Sequence, residues 1–183
     1  MTDLRFGAEI PFVTYLGFAL ELFEGGESAI GYTPLPEHLN SFAVTHGGAC
    51  MTLLDVTMAV AARSVQKELG VVTIEMKTSF MRPAPGDGSR LTAKGRLIHR
   101  TATLAFTEAT LFDDQGRVCT HATGTFKYVK RLVTGPRTVN DLNAASGLSN
   151  AVGFAGVLPT DRTSLKCVFF NQISLQSRFL LPE

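Results

Sequence analysis

Between Gly48 and Gln66 the chain is apolar at almost every face of a 3.6-residue period. Ala49, Met51, Leu53, Leu54, Met58, Ala59, Val60, Ala61 and Ala62 all fall in this stretch. The pattern predicts one helix buried nearly all round, with Gly70 as its stop. Four runs with period-two alternation follow, rich in Thr, Val, Ile and Phe: Val71–Met81, Arg90–His99, Ala102–Phe112 and Val118–Val129. Pro-Ala-Pro-Gly-Asp-Gly at 83–88, His-Arg-Thr at 99–101 and Asp-Asp-Gln-Gly at 113–116 separate them. Strands joined in succession by short turns predict an antiparallel meander.

Upstream of the helix, Leu20, Leu22 and Phe23 precede Gly25-Gly26, and Ala29, Ile30 and Tyr32 follow it. Two short strands around a glycine turn fit this alternation between Leu16 and about Thr33, and Pro34 and Pro36 end the second strand. Residues 1–15 read as a short lead-in with about one helical turn. One apolar helix with an antiparallel sheet wrapped around it is an α+β architecture. Residues 134–183 show neither period. The domain is therefore expected to span 1–133, with 134–183 a poorly ordered or loosely docked extension.

Composition narrows the function classes. The chain has 183 residues and a formal charge of +1, so nothing in the balance points to nucleic acid. The apolar stretch Ile10–Leu20 is interrupted and too short to span a bilayer, so no membrane partner is expected. Cys50, Cys119 and Cys167 lack paired spacing, which reads as reduced thiols in a cytoplasm. The four histidines do not cluster with Cys or carboxylates, so neither metal nor cofactor is expected.

Two features point to chemistry. Asp55 interrupts an otherwise apolar helix, where a carboxylate costs free energy unless it is paired or faces a cavity. His46-Gly47-Gly48 precede the same helix, whose N-terminus offers unsatisfied donors and partial positive charge. Such donors can hold the oxyanion of a tetrahedral intermediate. No Gly-x-Ser-x-Gly elbow is present. Cys50, in the helix's first turn, is a nucleophile on paper and reads better as a small core residue. Phe42, Met51, Met58, Phe80 and Met81 are each expected in the core rather than in an acyl pocket. Gly47 and Asp55 are eight residues apart, about 12 Å of helix rise, yet both would need to sit about 3 Å from one reacting group. Two chains with antiparallel helices meet that requirement, so a dimer with two shared sites is expected.

The stretch HGGACMTLLDVTMAVAA at 46–62 resembles the H-G-G-x-x-x-T-L-x-D signature of hot-dog acyl-CoA thioesterases of the phenylacetate-pathway type. The resemblance runs over about residues 10–130 and includes Asn40 and the strand VVTIEMKTSFMRPA at 71–84. It implies a hot-dog fold, an acyl-CoA substrate and a homodimer or homotetramer. It implies Asp55 as general base or nucleophile and the Gly47 N–H as the group polarising the carbonyl. Asn40 and His46 would orient the thioester and leaving group. Thr73 would stand where a hydroxyl residue holds the attacking water, a position often occupied by Ser in relatives. Two other readings fit the fold: a non-catalytic acyl-CoA-binding protein, and an enoyl-CoA hydratase. Hydratases of this fold carry a His five residues after the Asp, where this chain has Val60.

Overall fold

Helix α2, Gly47–Ser64, is the axis of the fold, and six strands wrap it in one antiparallel sheet. The computed structural model describes Phe6 and residues 10–130. A short helix α1 (Pro11–Leu16) leads into β1 (Ala19–Glu24) and β2 (Glu27–Tyr32); after α2 come β3 (Leu69–Phe80), β4 (Leu91–Arg100), β5 (Leu104–Phe112) and β6 (Val118–Lys130). The α+β hot-dog arrangement expected from the sequence is what the chain adopts. The expected domain limit at 133 and the extension 134–183 lie outside the described residues.

The Gly25-Gly26 turn has φ of 59° and 92°, the left-handed geometry that a two-residue hairpin between twisted strands needs. At Gly95 on β4, an added Cβ would lie 2.9 Å from Thr57 Cγ2 and 3.1 Å from Thr57 O, so its lack of a side chain lets helix and sheet meet. Three hydrogen bonds fix the helix on that surface. Ser28 Oγ donates to Thr57 O (2.7 Å), the Gly26 N–H to Ser64 Oγ (2.7 Å) and the Tyr128 hydroxyl to Ala62 O (2.9 Å). Leu53, Leu54, Met58, Ala61 and Ala62 are buried between α2 and the strands.

Several expectations are corrected. Gly70 lies inside β3; α2 ends at Ser64, with Val65 as its C-cap. The meander covers only β4, β5 and β6, because the strand order is β1-β2-β4-β5-β6-β3. The 83–88 segment, with its two prolines, carries the chain across the sheet instead of closing a hairpin, so β3 pairs with β6 and becomes an edge. Finally, α2 is not buried all round. Met51, Thr52, Asp55, Val56 and Ala59 are only partly covered and form one helical stripe. Of the five side chains expected in the core, Met58 is fully buried and Met51 partly; Phe42 (75% exposed), Phe80 and Met81 are on the surface. No helix among the described residues is long and apolar enough to cross a membrane.

Candidate active site

The site begins at the N-terminus of α2. His46 is the N-cap: its backbone is extended (φ −60°, ψ 135°) and its Nδ1 accepts the Gly48 N–H at 2.9 Å. A Cβ on Gly48 would stand 3.0 Å from that nitrogen, so the second glycine makes room for the cap. The Gly47 N–H, first in the helix, has no intrahelical acceptor. The ring of Phe80 lies beside it, 3.4 Å from where a Gly47 Cβ would be. Replacing His46 by Ala should cost about 1 kcal/mol. Asn, itself a good N-cap, should restore most of it. Urea midpoints at one protein concentration check this; identical midpoints for all three proteins would mean that the cap contributes nothing.

Asn40 organises the loop before the helix. Its Oδ1 accepts the N–H of Phe42 (2.9 Å) and of Val44 (3.4 Å), while Ala43 takes a positive φ of 55°. Thr45 ties the same loop to the β3–β4 connection, its N–H donating to Ala84 O at 3.0 Å. Asn40 therefore shapes the approach to Gly47 through the backbone.

Asp55 lies two turns further along α2, half-buried, and Thr73 Oγ1 donates to its Oδ1 at 2.8 Å. Burial raises the Asp55 pKa above the ordinary 3.8, and the Thr73 hydrogen bond partly opposes that rise. A β-bulge sets the contact. Thr73 is opposite Phe126, Glu75 is opposite Thr125, and Ile74 is the extra residue between them. Phe126 is buried towards the helix, whereas Thr125 Oγ1 bonds the Glu75 carboxylate on the outer face. Strict alternation would put residues 73 and 75 on one face. The bulge separates them and aims the exposed Thr73 side chain at Asp55.

A cavity of about 410 Å³ opens beside Asp55. Ile10, Phe12 and Val13 from the α1 segment, Met51 and Val56 from α2, and Met76 from β3 supply its apolar lining. The sequence reading gave α1 no part in a site; its only signal was the interrupted apolar stretch after Ile10. Cys50 is buried and its thiol is pushed up to about 12, chiefly by burial, which removes it as a nucleophile. Among the described residues, no three His, Cys, Asp or Glu side chains converge to hold a metal ion.

Residues 42–120 match the family model of the thioesterase superfamily. The Escherichia coli PaaI protein from the phenylacetic acid degradation operon superposes with a TM-score of 0.62 at 22% identity, over 67% of this chain and 87% of that one. The fold is that of the PaaI-type hot-dog proteins. A Caenorhabditis elegans protein described as a candidate esterase is 37% identical over 73 residues, 39% of this chain and 42% of its own length. A second candidate esterase, from Saccharolobus solfataricus, is 25% identical over 112 residues, 61% of this chain and 73% of that one. The hot-dog chain thus spans less than half of the nematode relative. Its family match includes His46, Gly47, Asp55 and Thr73 and stops short of Asn40.

Proposed function

We propose that this chain hydrolyses acyl-CoA thioesters at a site shared between two copies, with Asp55 as general base or nucleophile. The observation that carries the reading is a half-buried carboxylate, held by Thr73 and facing an apolar cavity, on a helix whose first N–H is open to a ligand. As general base, Asp55 takes a proton from water while the resulting hydroxide attacks the thioester carbon. The carbonyl oxygen becomes an oxyanion at a Gly47 N–H, and collapse expels the CoA sulfur, which receives the proton from Asp55. As nucleophile, Asp55 forms an acyl anhydride with release of CoA, and water then opens it. His46 and Asn40 position the Gly47 N–H, and the reaction consumes only water.

Geometry also supports the shared site. Asp55 meets Thr73 early in β3, and Gly47 meets Phe80 at its end, so β3 runs antiparallel to α2. β3 is twelve residues long and an edge of the sheet, with Ile74 51% exposed. A long edge strand with exposed apolar groups is a template for pairing. If a second copy pairs antiparallel across it about a two-fold axis near Met76, Phe80 and Gly47 of one protomer move towards Thr73 and Asp55 of its partner. The working unit is then a homodimer, or a homotetramer of two such dimers.

A panel of aliphatic and aryl acyl-CoAs, read by free thiol release, tests the activity. No thiol release from any member would sink it, and hydration of crotonyl-CoA would replace it. Thr73→Val adds a sharper test. Removing the hydroxyl removes what lowers the Asp55 pKa, so the acid limb of kcat/KM should move to higher pH, and Thr73→Ser should move it back. A limb that stays put in both variants would show that Thr73 does not act through Asp55.

A further inference from the structure

The cavity beside Asp55 carries information about the acyl group that the catalytic residues do not. Its volume, about 410 Å³, falls within the usual range of ligand pockets, roughly 300 to 1,000 Å³. Its polar lining consists of Asp55 and Thr52, and the Thr52 hydroxyl already donates to Gly48 O at 2.9 Å. Among the described residues, no Lys, Arg or His lines it. An anionic acyl group would lie against the Asp55 carboxylate, and the apolar lining offers a hydroxyl or amide few partners.

The wall furthest from the catalytic helix in sequence is built by α1. Val13 and Leu16 are buried and anchor this short helix, and Gly17, at φ 72°, closes it. Phe12 points the other way: it is 56% exposed and its ring contributes to the cavity. It is the largest side chain on that wall, and its exposure means that its removal leaves the core untouched. We infer, on the footing of the thioesterase reading, that the cavity takes an uncharged hydrocarbon acyl group and that Phe12 sets how long that group can be. The cavity adjoins Asp55, so the acyl group attached to the carbon that Asp55 serves lies within its reach.

The test compares wild type with Phe12→Ala on straight-chain acyl-CoAs from butyryl to dodecanoyl, on phenylacetyl-CoA and on glutaryl-CoA. Wild type should prefer hexanoyl- over glutaryl-CoA in kcat/KM by on the order of a hundredfold. Phe12→Ala should shift the chain-length profile towards longer groups by at least about tenfold, the smaller effect expected of one methylene in an apolar pocket. Titration with non-hydrolysable alkyl thioethers of CoA reads the same wall without turnover. There, Phe12→Ala should alter the affinity for the decyl thioether by a similar factor and leave CoA itself unaffected. Equal use of hexanoyl- and glutaryl-CoA, or an unmoved profile and unmoved thioether affinities, would overturn the inference while leaving hydrolysis standing. Discrimination among thioethers without turnover of any thioester would do the reverse: the hydrolase reading would fall and the pocket would stand.

Discussion

Asp55→Asn should reduce kcat by about 10²–10⁴-fold, the range that general-base catalysis supplies. Asn keeps the shape and can still accept the Thr73 hydroxyl, but it can neither take a proton from water nor attack a carbonyl carbon. A variant retaining more than about a tenth of the wild-type rate would remove Asp55 from the mechanism. The same substitution should stabilise the fold at neutral pH. Burial raises the Asp55 pKa above the 3.8 of a free carboxylate, so the native state holds its proton after the unfolded chain has lost it. Stability therefore falls as pH climbs from about 3.8 through the raised native value, and above that the full cost of the buried charge is present. Asn does not carry this cost. Its melting temperature should exceed wild type by a few degrees at pH 7, with the gain vanishing below the carboxylate range. A loss of rate combined with a gain of stability is the mark of a group kept for chemistry; a Tm difference that does not change with pH would contradict the burial argument.

The sequence singled out the parts of this candidate site and left their juxtaposition hidden, for identifiable reasons. Asp55 stood out because a single carboxylate breaks an apolar helix, and Gly47 because two glycines meet a helix start. The Gly25-Gly26 hairpin was equally legible, since two consecutive glycines satisfy the positive φ that the turn demands. The position of β3 was not. Alternation identifies a strand without naming its neighbour, and the proline-rich segment 83–88 is compatible with a hairpin or a crossover. The bulge at Ile74 was also invisible, because VVTIEMKTSF alternates acceptably in either register. Yet the bulge is what turns Thr73 towards Asp55 while Glu75 bonds Thr125 on the opposite face. The open stripe on α2 misled for a related reason. Met51 and Val56 are apolar yet line the cavity, Ala59 is only partly covered, and composition alone cannot separate such a stripe from a core.

Gly47→Pro should lower kcat by about 10²–10³-fold, the usual cost of one oxyanion donor. Proline is well suited to the first helical position, where it deletes an N–H that the helix itself does not use. The extended backbone of His46, φ −60° and ψ 135°, already matches what a following proline requires. Gly47→Ala keeps the N–H, and its Cβ would meet only the Phe80 ring at 3.4 Å, so it should keep most of the activity. Equal losses in Pro and Ala would point to crowding rather than to the missing donor. The pair of damaged proteins then tests the shared site. In a dimer of one Asp55→Asn chain and one Gly47→Pro chain, one site combines both lesions and the other has neither. Random exchange of equal amounts makes half the dimers mixed, so activity should recover from near zero to about a quarter of wild type. Confirmed heterodimers that stay inactive would place Asp55 and Gly47 of a single chain at one site. That would conflict with the roughly 12 Å of helix between them.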